Sequence, residues 1–85
     1  MEIVFTVQAG EDLDYWKKTG NAPVLKRIRK LIESIAAAPY KGIGKPEPLK
    51  FNLAGCWSRR INDEHRIVYE INENKIIILS LKGHY

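Results

Sequence analysis

The first apolar run, Glu-Ile-Val-Phe-Thr-Val, is short and rich in β-branched residues, and it predicts a buried strand over Glu2–Val7. The period then changes. Ala9, Leu13 and Trp16 recur at helical spacing and predict an amphipathic helix over Gln8–Lys18. Glu11, Asp12 and Asp14 fall early and Lys17 and Lys18 late, as the helix dipole favours, and Gly20 is placed to end it. Asn21 is suited to cap a second helix, with Pro23 in its first turn. Leu25, Ile28, Leu31, Ile32 and Ile35 form its buried stripe, and Lys26, Arg27, Arg29 and Lys30 face elsewhere. The helix continues through Ala36-Ala37-Ala38 and stops at Pro39.

Tyr40–Pro48 holds two glycines and two prolines and is predicted to be irregular. Strands are predicted over Trp57–Asn62, Arg66–Ile71 and Lys75–Lys82, joined by turns at Asn62-Asp63-Glu64 and Asn72-Glu73-Asn74. Connections this short imply an antiparallel meander. The expected fold is α+β, a single domain over residues 1–85: two helices packed on one face of a small antiparallel sheet, the other face free to work.

Strand alternation sorts the candidate chemistry. On the last strand Ile77, Leu79 and Leu81 make the better core set, which leaves Ile76, Ile78, Ser80, Lys82 and His84 opposite. On the middle strand Ile67, Tyr69 and Ile71 oppose Arg66, Val68 and Glu70. On the first, Trp57, Arg59 and Ile61 oppose Ser58, Arg60 and Asn62. One consistent assignment gathers Arg60, Arg66, Lys82 and His84 on the helix-free face, next to a loop carrying Lys45, Glu47 and Lys50. A single β-bulge would flip one strand.

Composition narrows the setting. The chain has 85 residues, enough for one small domain, and a formal charge of +4 from 14 basic and 10 acidic residues. That balance favours an anionic partner such as nucleic acid or an acidic protein. No apolar run approaches the ~20 residues that span a bilayer, and no basic-then-apolar leader is present, so neither membrane insertion nor export is expected. The lone cysteine, Cys56, cannot form an internal disulfide; it reads as a packing residue in a reducing cytoplasm.

A carboxylate, a histidine and several cations on one face suit RNA cleavage by internal transesterification. A base takes the ribose 2′-OH proton, an acid protonates the leaving 5′-oxygen, and cations stabilise the phosphorane. Glu47, held between Pro46 and Pro48, could be the base; the plainer alternative is a solvated loop glutamate beside Lys45 or Lys50. Arg66 offers a fork matched to phosphate, or else an ion pair with Glu64 or Glu70. His84 could be the acid, and Tyr85 could stack on a base or simply pack at the end of the chain. No His/Cys/Asp cluster has metal-ligand spacing, and Gly42-Ile43-Gly44 lacks the rest of a phosphate-binding loop.

Lys45-Pro46-Glu47-Pro48-Leu49-Lys50, Asn52-Leu53-Ala54-Gly55-Cys56-Trp57-Ser58-Arg59-Arg60-Ile61, Glu64-His65-Arg66-Ile67-Val68-Tyr69 and the closing His84-Tyr85 resemble the YoeB (Txe) toxins of the RelE superfamily. Asp14-Tyr15-Trp16 and Lys41-Gly42 extend the likeness to nearly the whole chain. The resemblance implies a type II toxin that cuts mRNA in the ribosomal A site without a metal or other cofactor. It implies Glu47 as general base, His84 as general acid, Arg66 on the scissile phosphate and Tyr85 positioning the substrate, with Lys50 and Arg60 assisting at phosphate. It also implies a YefM-like antitoxin, and it leaves open whether the toxin is a monomer or a homodimer.

Gly83 and Lys82 depart from the aromatic and arginine usual before the closing pair, so a looser tail is expected. Phe51 and Cys56 also depart, with effects on packing expected. Two other readings remain: an RNA- or ribosome-binding module without catalysis, and a ParE-like gyrase poison, which would need neither the loop glutamate nor the terminal His-Tyr.

Overall fold

The computed structural model describes residues 1–83. The chain runs β1 (Glu2–Phe5), α1 (Val7–Lys18), α2 (Ala22–Ala37), β2 (Glu47–Pro48), a single 3-10 turn (Phe51–Leu53), β3 (Trp57–Arg60), β4 (Arg66–Asn72) and β5 (Lys75–Ser80). The strands form one sheet in the order β1-β5-β4-β3-β2. Its middle is the expected antiparallel meander. The sheet is nevertheless mixed, because β1 pairs parallel with β5, from Glu2 opposite Lys75 to Phe5 opposite Ile78. The two helices between β1 and the meander supply the crossover that a parallel pair requires.

The first strand is shorter than its apolar run and is not buried. Thr6 leaves the strand and caps α1, its side chain accepting from the Ala9 amide at 3.1 Å. The helix therefore starts at Val7, and Ile3, Phe5 and Val7 stay exposed at the sheet edge. The early acids consequently lie past the first turn of α1. Asp12 is buried there and accepts from Gln8 Nε2 at 2.8 Å and from the Leu81 amide at 2.9 Å. Asn21 caps α2 through the Val24 amide at 3.2 Å. The buried stripe of α2 is Val24, Ile28, Leu31 and Ile35, with Leu25 and Ile32 half-buried at its margin.

The helices pack on the face that carries Ile61, Ile67, Tyr69, Ile76 and Ile78, with Leu81 joining from beyond β5. Tyr69 and Ile67 were expected there. Ile76 and Ile78 were not: the last strand has the opposite parity over its first half. The register explains the change, since β4 and β5 slip between Val68 and Tyr69, where Tyr69 pairs with Ile78 and Val68 with Ser80. The extra residue on β5 is Leu79, and beyond it Leu81 is the inward residue, as expected. Cys56 is buried, and burial, with the Glu70 charge second, pushes its thiol up; it packs rather than reacts.

Candidate active site

Arg59 builds the loop that leads to the site. It lies on the core-facing set of β3 with no exposed surface. Its Nε donates to Tyr69 Oη at 3.1 Å and its Nη1 to Ser34 Oγ at 2.8 Å and the Ile43 carbonyl at 3.2 Å. Its Nη2 donates to the carbonyls of Ala38 at 2.7 Å and Lys41 at 3.0 Å. A buried guanidinium is tolerated here because neutral acceptors ring it. Tyr69 completes the clasp by donating to the Pro39 carbonyl at 2.6 Å; burial pushes its phenol up, opposed by Arg59, so it remains a donor. Gly42 is needed where the loop crosses Arg59, since a Cβ there would sit 2.5 Å from Ser34 Oγ.

The loop then joins the sheet, held by Arg60 N donating to the Gly44 carbonyl at 2.7 Å. Glu47–Pro48 is not irregular but a two-residue edge strand, Glu47 opposite Ser58 and Pro48 opposite Trp57. Proline is acceptable on such an edge, where one side of the backbone needs no partner. Because Arg59 points to the helices, Ser58 and Arg60 point away from them, and Glu47 shares their face. Arg66 stands directly opposite Arg60 and completes the set. The helix-free face thus carries Glu47, Arg60 and Arg66 over a close-packed floor of Ser58, Val68 and Ser80, all buried. Glu47, Lys45, Lys50 and Arg60 are exposed.

Arg66 is 9% exposed and is fixed by carbonyls rather than by Glu64 or Glu70. Its Nη1 donates to Asn62 O at 2.8 Å, His65 O at 3.2 Å and Asp63 O at 3.3 Å. Its Nε and Nη2 have no hydrogen-bond partner among the described residues. The turn is itself tied by Asn62 Oδ1, which accepts from the amides of Glu64 at 2.9 Å and His65 at 2.8 Å.

Lys82 does not join this set. Its Nζ sits 4.0 Å from the centre of the Tyr15 ring on α1, a cation–π contact on the helix side. The strand has ended at Ser80, so sheet parity no longer directs the Lys82 side chain. His84 and Tyr85 lie outside the described residues. Gly83, expected to be loose, is held on both sides of its Cα: its amide donates to His65 Nδ1 at 3.0 Å and its carbonyl accepts from Arg66 N at 2.9 Å. Its φ of +98° is one that side-chain-bearing residues rarely adopt, so the glycine serves geometry here rather than looseness.

The residues that anchor this end of the chain escaped the sequence reading. Trp16 Nε1 donates to the Leu81 carbonyl at 2.9 Å, and Asp12 takes the Leu81 amide. A signal existed for Asp12, a carboxylate three positions after Ala9 and four before Trp16 on the buried stripe of α1. Phe51, expected to pack, is 90% exposed.

Solved structures that share this arrangement are small bacterial toxins. The YoeB/ParE toxin from Agrobacterium tumefaciens is 38% identical and matches with a TM-score of 0.96, with all of both chains covered. The Staphylococcus aureus YoeB matches both in its complex with YefM, at 48% identity and a TM-score of 0.90, and as a dimer, at 46% and 0.91. Each match covers all of this chain and 98% of the other. Toxin YoeB of Synechocystis sp. is 51% identical over 85 residues, all of this chain and 98% of the relative. The model of the family described as YoeB-like toxin of bacterial type II toxin-antitoxin system matches residues 5–85, and the chain belongs to that family.

Proposed function

We propose that this toxin is a ribosome-dependent endoribonuclease that cuts mRNA in the A site by metal-independent acid–base transesterification. The observation that carries the reading is the shared face of Glu47, Arg60 and Arg66, with the chain returning at Gly83 directly beside Arg66. Glu47 takes the proton from the ribose 2′-OH. The 2′-oxygen forms a bond to phosphorus, and the bond from phosphorus to the 5′-oxygen breaks. His84 gives its proton to that leaving oxygen, and the products are a 2′,3′-cyclic phosphate and a free 5′-OH. Arg66 presents Nε and Nη2 to the phosphate while its Nη1 stays tied to the turn, so the clamp is ordered before substrate arrives. Arg60, Lys45 and Lys50 add positive charge along the RNA backbone. Tyr85 positions the nucleotide at the cut.

The S. aureus relative in complex with YefM supports a YefM-like antitoxin as the partner of this toxin, and the dimer of that relative supports a homodimer as a further state. Expression of the chain without an antitoxin should arrest growth and shorten messages at codons within translated frames. His84→Ala should reduce single-turnover cleavage of ribosome-bound message by about 10²–10⁴-fold, the range of a well-placed acid. Arrest with intact messages would instead favour binding without catalysis or action on gyrase.

A further inference from the structure

His65 is the last residue of the turn before β4. Its amide is bonded to Asn62 Oδ1, and its carbonyl accepts from the amides of Ile61 at 3.0 Å and Asn62 at 3.3 Å and from Arg66 Nη1. The backbone is thus fully used, and the ring is left to make two further contacts. It packs edge-on against Trp16, centroids 4.9 Å apart and planes at 79°, and its Nδ1 accepts the Gly83 amide at 3.0 Å. An accepting Nδ1 carries the lone pair, which assigns the ring proton to Nε2. Packing alone does not call for this: a phenyl ring would meet Trp16 equally well but would leave the Gly83 amide without its acceptor.

Two adjacent residues therefore hold the backbone of Gly83 on both sides of its Cα. His65 takes the amide of Gly83 through its ring, and Arg66 takes the carbonyl through its backbone. Together with Asp12 and Trp16 on Leu81, they fix the path of the chain up to the last position before His84.

We propose that His65 is a positioning residue, whose imidazole fixes Gly83 beside Arg66 and so the point from which the chain continues to His84. The proposal rests on the ribonuclease reading above, and its test separates the two. His65→Phe keeps the ring against Trp16 and removes the acceptor; His65→Asn restores an accepting oxygen near the position of Nδ1. In His65→Phe, amide exchange at Gly83 should quicken by about tenfold, the size of one net hydrogen bond. Single-turnover cleavage should fall by about tenfold or more, because small displacements of a catalytic group are costly. Ribosome affinity should stay within about twofold, as expected for a loss that spares ground-state binding. His65→Asn should recover most of both losses.

Native-rate cleavage by His65→Phe overturns the proposal, as do equal losses in the two variants, since the acceptor would then not be what matters. If the native protein cleaves no message, the ribonuclease reading falls; unchanged Gly83 exchange in His65→Phe would then overturn the positioning role by itself. If His65→Phe does not fold, imidazole nitrogen shifts of the native protein decide: a proton on Nδ1 overturns the proposal, and one on Nε2 with rescue in His65→Asn supports it.

Discussion

Two residues flank β2 in a conformation that side chains disfavour. Lys45 has a φ of +53° and Phe51 a φ of +59°. The left-handed region costs a residue of this kind roughly 1–2 kcal/mol. Phe51 recovers none of it by burial, being 90% exposed at the tip of the β2–β3 connection. The strain is imposed by the tight return of the chain: Leu53 N bonds Lys50 O at 3.1 Å, Ala54 N bonds Phe51 O at 3.0 Å, and Leu49 N bonds Cys56 O at 2.9 Å. Asparagine visits this region with less penalty. Phe51→Asn should therefore raise unfolding stability by about 0.5–1 kcal/mol, read as a higher denaturant midpoint with unchanged slope. An unchanged or lower midpoint would mean that the exposed ring contributes to stability in its own right.

Elements were legible in the sequence where a period runs without interruption. Both helices and the β3–β4–β5 meander lie within a residue or two of their predicted bounds, because stripe, cap and stop signals agree there. The parity of β5 was hidden, since nothing in Ile-Ile-Ile-Leu-Ser-Leu marks which residue is extra; the bulge is set by pairing across to β4. The β2 strand was hidden for a similar reason, as its pairing comes from β3 and is not marked by its own glutamate and proline. Of the candidate site, Arg60 and Arg66 could be grouped by alternation and Glu47 only placed nearby in the loop, whereas Lys82, grouped with them by parity, lies past the strand end and turns to Tyr15. The clasp around Arg59 was visible only as a cation on a core-facing set. It makes a specific demand at the level of the loop, because a guanidinium fork meets five acceptors on α2 and its cap, the following loop and β4, and an ammonium cannot. Arg59→Lys should lower stability by about 3 kcal/mol or more, and should also slow cleavage in the folded fraction as the path from Ala38 to Glu47 loosens. Chemical denaturation and single-turnover assays on one sample would separate the two effects, and a near-native midpoint would remove the clasp from the account.

Across the whole molecule, the sheet is closed by its two most distant strands. Thr6 reaches the Leu79 carbonyl at 3.0 Å across 73 positions of sequence, and β5 stands between β1 and β4 with a partner on each side. β1 has no strand partner, and Asp12 and Trp16 of α1 lack their bonds to Leu81, until β5 is in place. A fragment of residues 1–74 should accordingly show no cooperative unfolding transition, whereas a stable 1–74 fragment in calorimetry would show that the helices and β3–β4 suffice.

That closure bears on how a cell survives making such a protein. The parallel strand pair is the slowest kind of contact to form, since a long loop must be ordered before it is rewarded. While a ribosome is still translating the region that encodes β5, the nascent polypeptide has Glu47 and Arg66 but no scaffold on which to align them. On the ribonuclease reading proposed above, cleavage therefore waits on closure of the sheet, and the interval before β5 joins gives an antitoxin time to arrive first.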